Sequence, residues 1–234
     1  MDERIISLAE AFSRRRNRFR ELNELHETGW KKGDRLLELG CGEGGGAVFM
    51  AERGFIVSAV DQDAGMLEKA CFKYGQVANC TFIKADARAL PSGPESFDGV
   101  YAEAVFSGIT DKRKVTEELR RVLKSGGRVL MCDFAFKAQP TTECAYSGIP
   151  CLEGAQTIGA YEELYREAGF VTVSKKERFY EFASIVSNLC EVYGVASGEV
   201  AGYLAERFGT VKKASADILN GAKLTYCRMI FEKP

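Results

Sequence analysis

The residues best suited to do chemistry lie in one short run, Glu38-Leu39-Gly40-Cys41-Gly42-Glu43-Gly44-Gly45-Gly46. Closely spaced glycines let a backbone take positive φ and approach a bound molecule without a Cβ in the way. Gly40, Gly42 and Gly45 satisfy the pattern G-x-G-x-x-G, which taken alone is a weak signal for a dinucleotide. Charge argues for a different ligand. A pyrophosphate needs N–H donors and is disfavoured by neighbouring carboxylates. Here Glu38 and Glu43 flank the turn. Two further acids follow. Asp61 comes 21 positions after Gly40, and Asp86 sits in Ala85-Asp86-Ala87-Arg88. A carboxylate at the first position can accept from both hydroxyls of a ribose. One at the second can accept from an adenine amino group.

A nucleoside cofactor that is cationic and carries no phosphate suits this set. S-adenosylmethionine (SAM), with its sulfonium and ammonium groups, is such a molecule. Asp61 alone would serve a nicotinamide cofactor equally well, and the combination of all three positions discriminates. These residues need strand ends to hold them, and the chain supplies strands in alternation with helices. Short apolar runs at 35–39, 56–60, 81–84, 97–102 and 128–134 predict five strands. Helical patterns separate them, at about 46–53, 64–73 with Asp63 as N-cap, and 111–124. This alternation predicts right-handed βαβ units and a parallel sheet covered on both faces. The glycine turn then lies between the first strand and its helix, where open α/β sheets bind ligands.

Outside this unit, Ile5, Leu8, Phe12, Phe19, Leu22 and Leu25 form one stripe of a helix over 3–27, stopped by Gly29. Its stripe is expected to close over the site as a lid within residues 1–30. A helix near 160–168, a strand from Val171 to Glu181, a mostly helical insertion over 182–220 and a final strand from Leu224 to Glu232 complete the reading. No repeat or low-complexity linker interrupts the chain, so 1–234 reads as one domain.

Taken in order, several segments resemble the class I SAM-dependent methyltransferases. They are Leu36-Leu37-Glu38-Leu39-Gly40-Cys41-Gly42-Glu43-Gly44, Val60-Asp61-Gln62-Asp63, Ala85-Asp86-Ala87, Phe97-Asp98-Gly99-Val100-Tyr101-Ala102 and Leu119-Arg120-Arg121-Val122-Leu123-Lys124-Ser125-Gly126-Gly127-Arg128. The resemblance covers residues 33–134 strongly and the terminal strands loosely. It implies a doubly wound, Rossmann-like α/β fold with a seven-stranded, mostly parallel sheet whose last strand runs antiparallel. It also implies SAM as methyl donor and S-adenosylhomocysteine as product. The methionine-moiety turn maps to Gly40, Cys41 and Gly42 with Glu38 beside them, the sugar site to Asp61 and Gln62, and the adenine site to Asp86 and Ala87. Ala102 and Glu103 fall on the acceptor side. Tyr101-Ala102-Glu103-Ala104 stands where relatives with amino substrates carry Asn or Asp followed by Pro-Pro, which argues against nucleic-acid or amide methylation.

A narrower resemblance follows. Cys151-Leu152-Glu153-Gly154-Ala155, with Tyr161-Glu162-Glu163-Leu164 and Glu167-Ala168-Gly169-Phe170, is similar to arsenite methyltransferases, in which the corresponding cysteine ligates the metalloid. Those enzymes also carry a cysteine before the glycine turn, whereas the first cysteine here is Cys41. Cys144 or Cys190 could supply another thiolate. Quinone and sterol methyltransferases share the same core motifs. None of the eight cysteines forms a Cys-x-x-Cys pair, so no zinc or other metal site is expected and the default is a set of free thiols packed as small hydrophobes.

Composition narrows the classes further. Lys and Arg total 32 against 33 Asp and Glu, a net charge of −1, without the basic excess of a general nucleic-acid binder. No apolar run approaches a membrane span, and the charged Met1-Asp2-Glu3-Arg4 start points to a cytoplasmic protein. The expected partners are a small-molecule substrate and, for assembly, a second copy in a homodimer. His26, the only histidine, reads as a surface residue of the first helix more readily than as a general base. Arg14 to Arg20 read as a solvated helix face, and Phe179, Tyr180 and Phe182 as core. No catalytic group is named by the sequence. Two competing readings stand beside methyl transfer to a small molecule: a non-catalytic SAM-binding protein and a nicotinamide-dependent oxidoreductase.

Overall fold

The computed structural model describes residues 19–138, 154–197, 199 and 224–234. Its first element is a short helix α1 (Arg20–Asn23) and a 3-10 turn (Leu25–Thr28). Then β1 (Arg35–Leu39), α2 (Gly45–Ala51), β2 (Ile56–Asp61), α3 (Ala64–Tyr74), β3 (Cys80–Lys84) and β4 (Phe97–Glu103) alternate. After β4 come a 3-10 turn (Phe106–Gly108), α4 (Lys112–Val122), β5 (Leu123–Phe136), β6 (Gln156–Thr157), α5 (Ile158–Glu167), β7 (Val171–Glu177), α6 (Phe179–Tyr193) and β8 (Leu224–Glu232).

Seven strands lie in the order β3-β2-β1-β4-β5-β8-β7. β1 to β5 run parallel, whereas β8 is antiparallel to both neighbours, β5 and β7. This is the expected α/β sheet with its reversed last strand. The two-residue β6, parallel to the end of β5, was not foreseen. The order reverses direction at β1 and β4, so the ends of these strands open a crevice.

Local chemistry explains most boundaries. Asp63 caps α3 by accepting from Met66 N–H at 3.1 Å, and Asp111 caps α4 by accepting from Lys114 N–H at 3.2 Å. Gly29 ends the first helical segment in the left-handed region, as expected. The expected continuous helix over 3–27 is corrected within its described part. It breaks at Glu24, whose carbonyl accepts from Glu27 N–H at 3.1 Å in the tighter 3-10 turn and also from the Arg228 guanidinium at 3.1 Å. The strand expected to reach Glu181 ends at Glu177, and α6 begins at Phe179, three residues before the anticipated insertion. Phe179 and Tyr180 are 55% and 77% exposed, which corrects their reading as core, while Phe182 packs inward.

Alternate side chains of each strand build two cores. On one face Leu37, Leu39, Val100, Val129, Met131, Met229 and Phe231 pack under α4 and α5, with Tyr165 stacked on Phe231 at 3.8 Å. On the other, Leu36, Tyr101, Leu130, Phe134, Tyr226 and Ile230 meet Leu22, Leu25, α2 and α6. Phe19 stacks on Phe49 of α2 at 4.7 Å, which seats the N-terminal segment on this second face.

Candidate active site

The glycine turn leaves β1 at Gly40 and enters α2 at Gly45. Cys41 N–H donates to the Val60 carbonyl at 3.0 Å, which ties the turn to β2. Gly42 has φ +52 and a Cβ there would meet nothing within 4 Å, so its backbone faces open space that only glycine leaves accessible without strain. Gly42 N–H donates to Asp61 Oδ2 at 2.8 Å, and Asp63 N–H donates to Asp61 Oδ1 at 2.9 Å. Asp61 therefore shapes the turn as well as ending β2. A carboxylate offers about four lone-pair sites, so each oxygen keeps room for one more donor. Gln62 is exposed beside it.

Glu38 is buried beneath the turn, its Oε1 against Gly46, where a Cβ would overlap it. Cys41 lies in the same recess. Burial pushes its thiol far above the ordinary range, and the charges of Glu38 and Asp61 add to the shift. The shift disfavours the thiolate, and the Cys41 main chain lies in the turn. Glu43 departs from the expected picture. It pairs with Lys73 and, at 3.7 Å, with Lys69, so it adds little to the negative field at the turn.

Asp86 also has an owner. Arg88 grips its carboxylate, with Nη2 at 2.7 Å from Oδ2, and donates its main-chain N–H to Oδ1 at 2.8 Å. These bonds hold the carboxyl down at about 2. Ala87, half-buried, follows it at the end of β3. The structure thus brings Gly40 to Gly42, Asp61, Gln62, Asp86 and Ala87 to the C-terminal ends of β1 to β3.

Next to them, β4 presents Ala102, buried, and Glu103. Glu103 accepts from the Tyr226 hydroxyl at 3.4 Å, and the Tyr226 ring meets Phe134 edge-on at 5.3 Å. The chain then turns through Ala104 at φ +54 to Val105, which packs on Gly40 so closely that a Cβ there would lie 2.5 Å from Val105 Cγ2. Cys190 is half-buried on α6. Cys144 and Cys151 lie outside the described residues, and among those described no group of three or more His, Cys, Asp or Glu side chains could hold a metal. His26 is exposed on its 3-10 turn.

Sequence reasoning missed a network next to this end of the sheet. Arg228, fully buried in β8, reaches Glu21 at 3.0 Å and Glu27 at 2.6 Å. Arg178 reaches Glu21 at 3.5 Å and also pairs with Glu24. Burial holds the Glu21 carboxyl up at about 7 against the pull of Arg178 and Arg228. One signal was available: a lone arginine at an inward position of the apolar alternation Leu224–Glu232. It also missed Asp133, in the apolar run Val129–Phe136.

The donor set fits SAM. It combines an open backbone turn, a carboxylate with acceptor capacity left and a buried acid. Comparison with known proteins agrees. Residues 37–131 match the family model described as a methyltransferase domain. A demethylmenaquinone methyltransferase of Clavibacter sepedonicus is 35% identical over 114 residues, covering 49% of this chain and 46% of that protein. The match thus spans less than half the length of that relative. Among solved structures, Haemonchus contortus phosphoethanolamine N-methyltransferase 2 in complex with SAM aligns with a TM-score of 0.76 at 21% identity, over 100% of this chain and 59% of that one. The [4+2]-cyclase SpnF aligns with a TM-score of 0.72 at 17% identity, over 92% and 80% of the two chains. No helix among the described residues is long and apolar enough to cross a membrane. Residues 37–131 match a methyltransferase domain, and the fold around them is shared with a methyltransferase solved in complex with SAM.

Proposed function

We propose that the protein transfers a methyl group from SAM to a small organic acceptor seated at the Glu103 end of β4. The observation that carries this reading is the Gly40–Gly42 turn, tied to Asp61 and open on its ligand side. Bound SAM supplies a methyl group already activated by its sulfonium. The main chain of Gly40, Cys41 and Gly42 would hold the methionine end, with Glu38 fixing the turn from below. Asp61 and Gln62 would take the ribose, and Asp86 and Ala87 would flank the adenine. Ala102 gives the wall behind, and Glu103 faces the acceptor. In-line displacement needs chiefly orientation of nucleophile, methyl and leaving sulfur. For an acceptor protonated at its attacking atom, Glu103 with Tyr226 is the nearest pair able to take the proton.

The matched relatives are named for demethylmenaquinone and phosphoethanolamine, both small molecules, which supports the acceptor class. A second reading has an observation behind it. A cyclase shares the fold, so this fold can serve a reaction other than methyl transfer. Methyl-labelled SAM incubated with the protein and a small-metabolite extract separates the two. The expected result is S-adenosylhomocysteine release with label in an extract component, reduced about tenfold in Glu103→Gln at unchanged SAM affinity, the loss expected for one charged hydrogen bond. SAM binding without S-adenosylhomocysteine release in any extract would favour the second reading.

A further inference from the structure

Asp133 is out of place on its face of the sheet. Val129, Met131 and Ala135, its neighbours in β5 on that side, are fully buried and apolar, as are Cys227 and Met229 on β8. A carboxylate buried there is costly without partners. Its partners come largely from one short segment. Oδ2 accepts from Val105 N–H at 3.0 Å and from Ser107 N–H at 3.2 Å, while Oδ1 accepts from Phe134 N–H at 2.8 Å. The segment 104–108 is the one that follows Glu103. It opens with Ala104 in the left-handed region, a conformation that persists in a non-glycine residue only when its surroundings enforce it. Val105 then lays its side chain on Gly40. A continuous chain of contacts so runs from β5, through one carboxylate, to the floor of the donor turn.

We propose that Asp133 is a positioning residue for methyl transfer: its carboxylate fixes the 104–108 turn, so that Val105 closes on Gly40 and Glu103 is held beside the donor site. The inference rests on the reading that SAM binds at Gly40–Gly42. Protonation would put an O–H donor where an N–H donor already points, and the turn would loosen. Burial raises this carboxyl to about 6, held back by hydrogen bonds from Ser107, Phe134 and Phe106. The titratable and charged groups facing it are Lys112 of α4, which also donates to the Ile109 carbonyl, Cys227 of β8, and Tyr161 and Tyr165 of α5.

The test is calorimetry of SAM binding to the full chain at pH 7.5 and pH 5.5. Asp133→Asn keeps the shape but turns one acceptor into a donor. It should weaken binding about tenfold at pH 7.5, the loss expected for a hydrogen bond to a charged group. Val105→Ala should weaken binding several-fold, and the double variant should be no weaker than Asp133→Asn, because both act through one contact. Met229→Ala, on the same face but away from the turn, should lower the melting temperature and leave SAM affinity within twofold. Wild type should lose affinity from pH 7.5 to 5.5, and Val105→Ala should lose less; these two readings decide the matter if Asp133→Asn does not fold. Folded Asp133→Asn within twofold of wild type, or additive effects in the double variant, would overturn the inference alone. Wild type that binds no SAM would overturn the donor-site reading with it.

Discussion

The two faces of the sheet are cut from the same strands and are filled differently. Towards α4 and α5, β1, β4, β5 and β8 present Leu37, Leu39, Val100, Ala102, Val129, Met131, Met229 and Phe231. Towards the N-terminal segment, α2 and α6, the alternate positions include Glu38, Glu103, Cys132 and Arg228 among the hydrophobes. A parallel sheet buried on both sides ordinarily reads as near-continuous apolar runs. Where such a run is broken by a charge, the charge marks something other than core. Glu38 and Glu103 mark the proposed site, Arg228 marks the clasp that holds the N-terminal segment, and Asp133 is the one fully buried acid among the described residues of the apolar face. Buried charge is thus concentrated on one face, and the other is apolar apart from Asp133.

That division can be broken most sharply at Arg228. Arg228→Ala removes the fully buried partner shared by Glu21 and Glu27, leaving Glu21 with Arg178 at 3.5 Å and Glu27 with Lys176 at 2.6 Å, and removing one partner of a buried pair costs about 3–5 kcal/mol. Urea unfolding should show that loss. A cost below about 1 kcal/mol would mean the pairs behave like surface bridges and do not hold this face together.

The pH dependence of stability sharpens the comparison next. Asp133 on one face and Glu21 on the other are both raised, to about 6 from 3.8 and to about 7 from 4.5. A raised carboxyl binds more protons folded than unfolded, so its contribution is full below the unfolded value and is lost as pH rises through the folded one. Wild-type unfolding free energy should therefore decline from pH 4 to 7. Asp133→Asn should flatten the part below pH 6, by on the order of 1–3 kcal/mol. Identical slopes in both proteins would show that Asp133 titrates normally.

The smallest effect belongs to Glu43. Its pairs with Lys69 and Lys73 are partly exposed, so Glu43→Gln should cost about 0–1 kcal/mol and leave SAM affinity within twofold. A tenfold loss of affinity would show instead that Glu43 faces the donor.

The first five strands and their helices were legible because local rules agree there. Asp63 and Asp111 cap, Gly29 stops the first helical segment, and the strands alternate with helices. The C-terminal half was less legible because tertiary contacts set its limits. β6 is two residues long and exists only through its bonds to β5. At the break, the Glu24 carbonyl takes a bond from Arg228, more than two hundred positions away. Site residues followed the same divide. Asp61 and the glycine turn carry a recognisable spacing, but the bonds from Asp61 to Gly42 and Asp63 are visible only in three dimensions. The pairing of Asp86 with Arg88, two residues apart, was within reach of the sequence, as was the oddity of a lone Arg228 or Asp133 in an apolar strand.

The proposed donor site depends most on Asp61, whose carboxylate ties the Gly40–Gly42 turn to the end of β2. Calorimetry on wild type and Asp61→Ala, with SAM, S-adenosylhomocysteine and NAD as ligands, tests it directly. Wild type should bind SAM and S-adenosylhomocysteine at one saturable site and give no heat with NAD. Asp61→Ala should weaken SAM binding by about 1.5–3 kcal/mol, the range for hydrogen bonds to a charged group. Unchanged SAM affinity in a folded Asp61→Ala variant, or saturable binding of NAD in place of SAM, would contradict it.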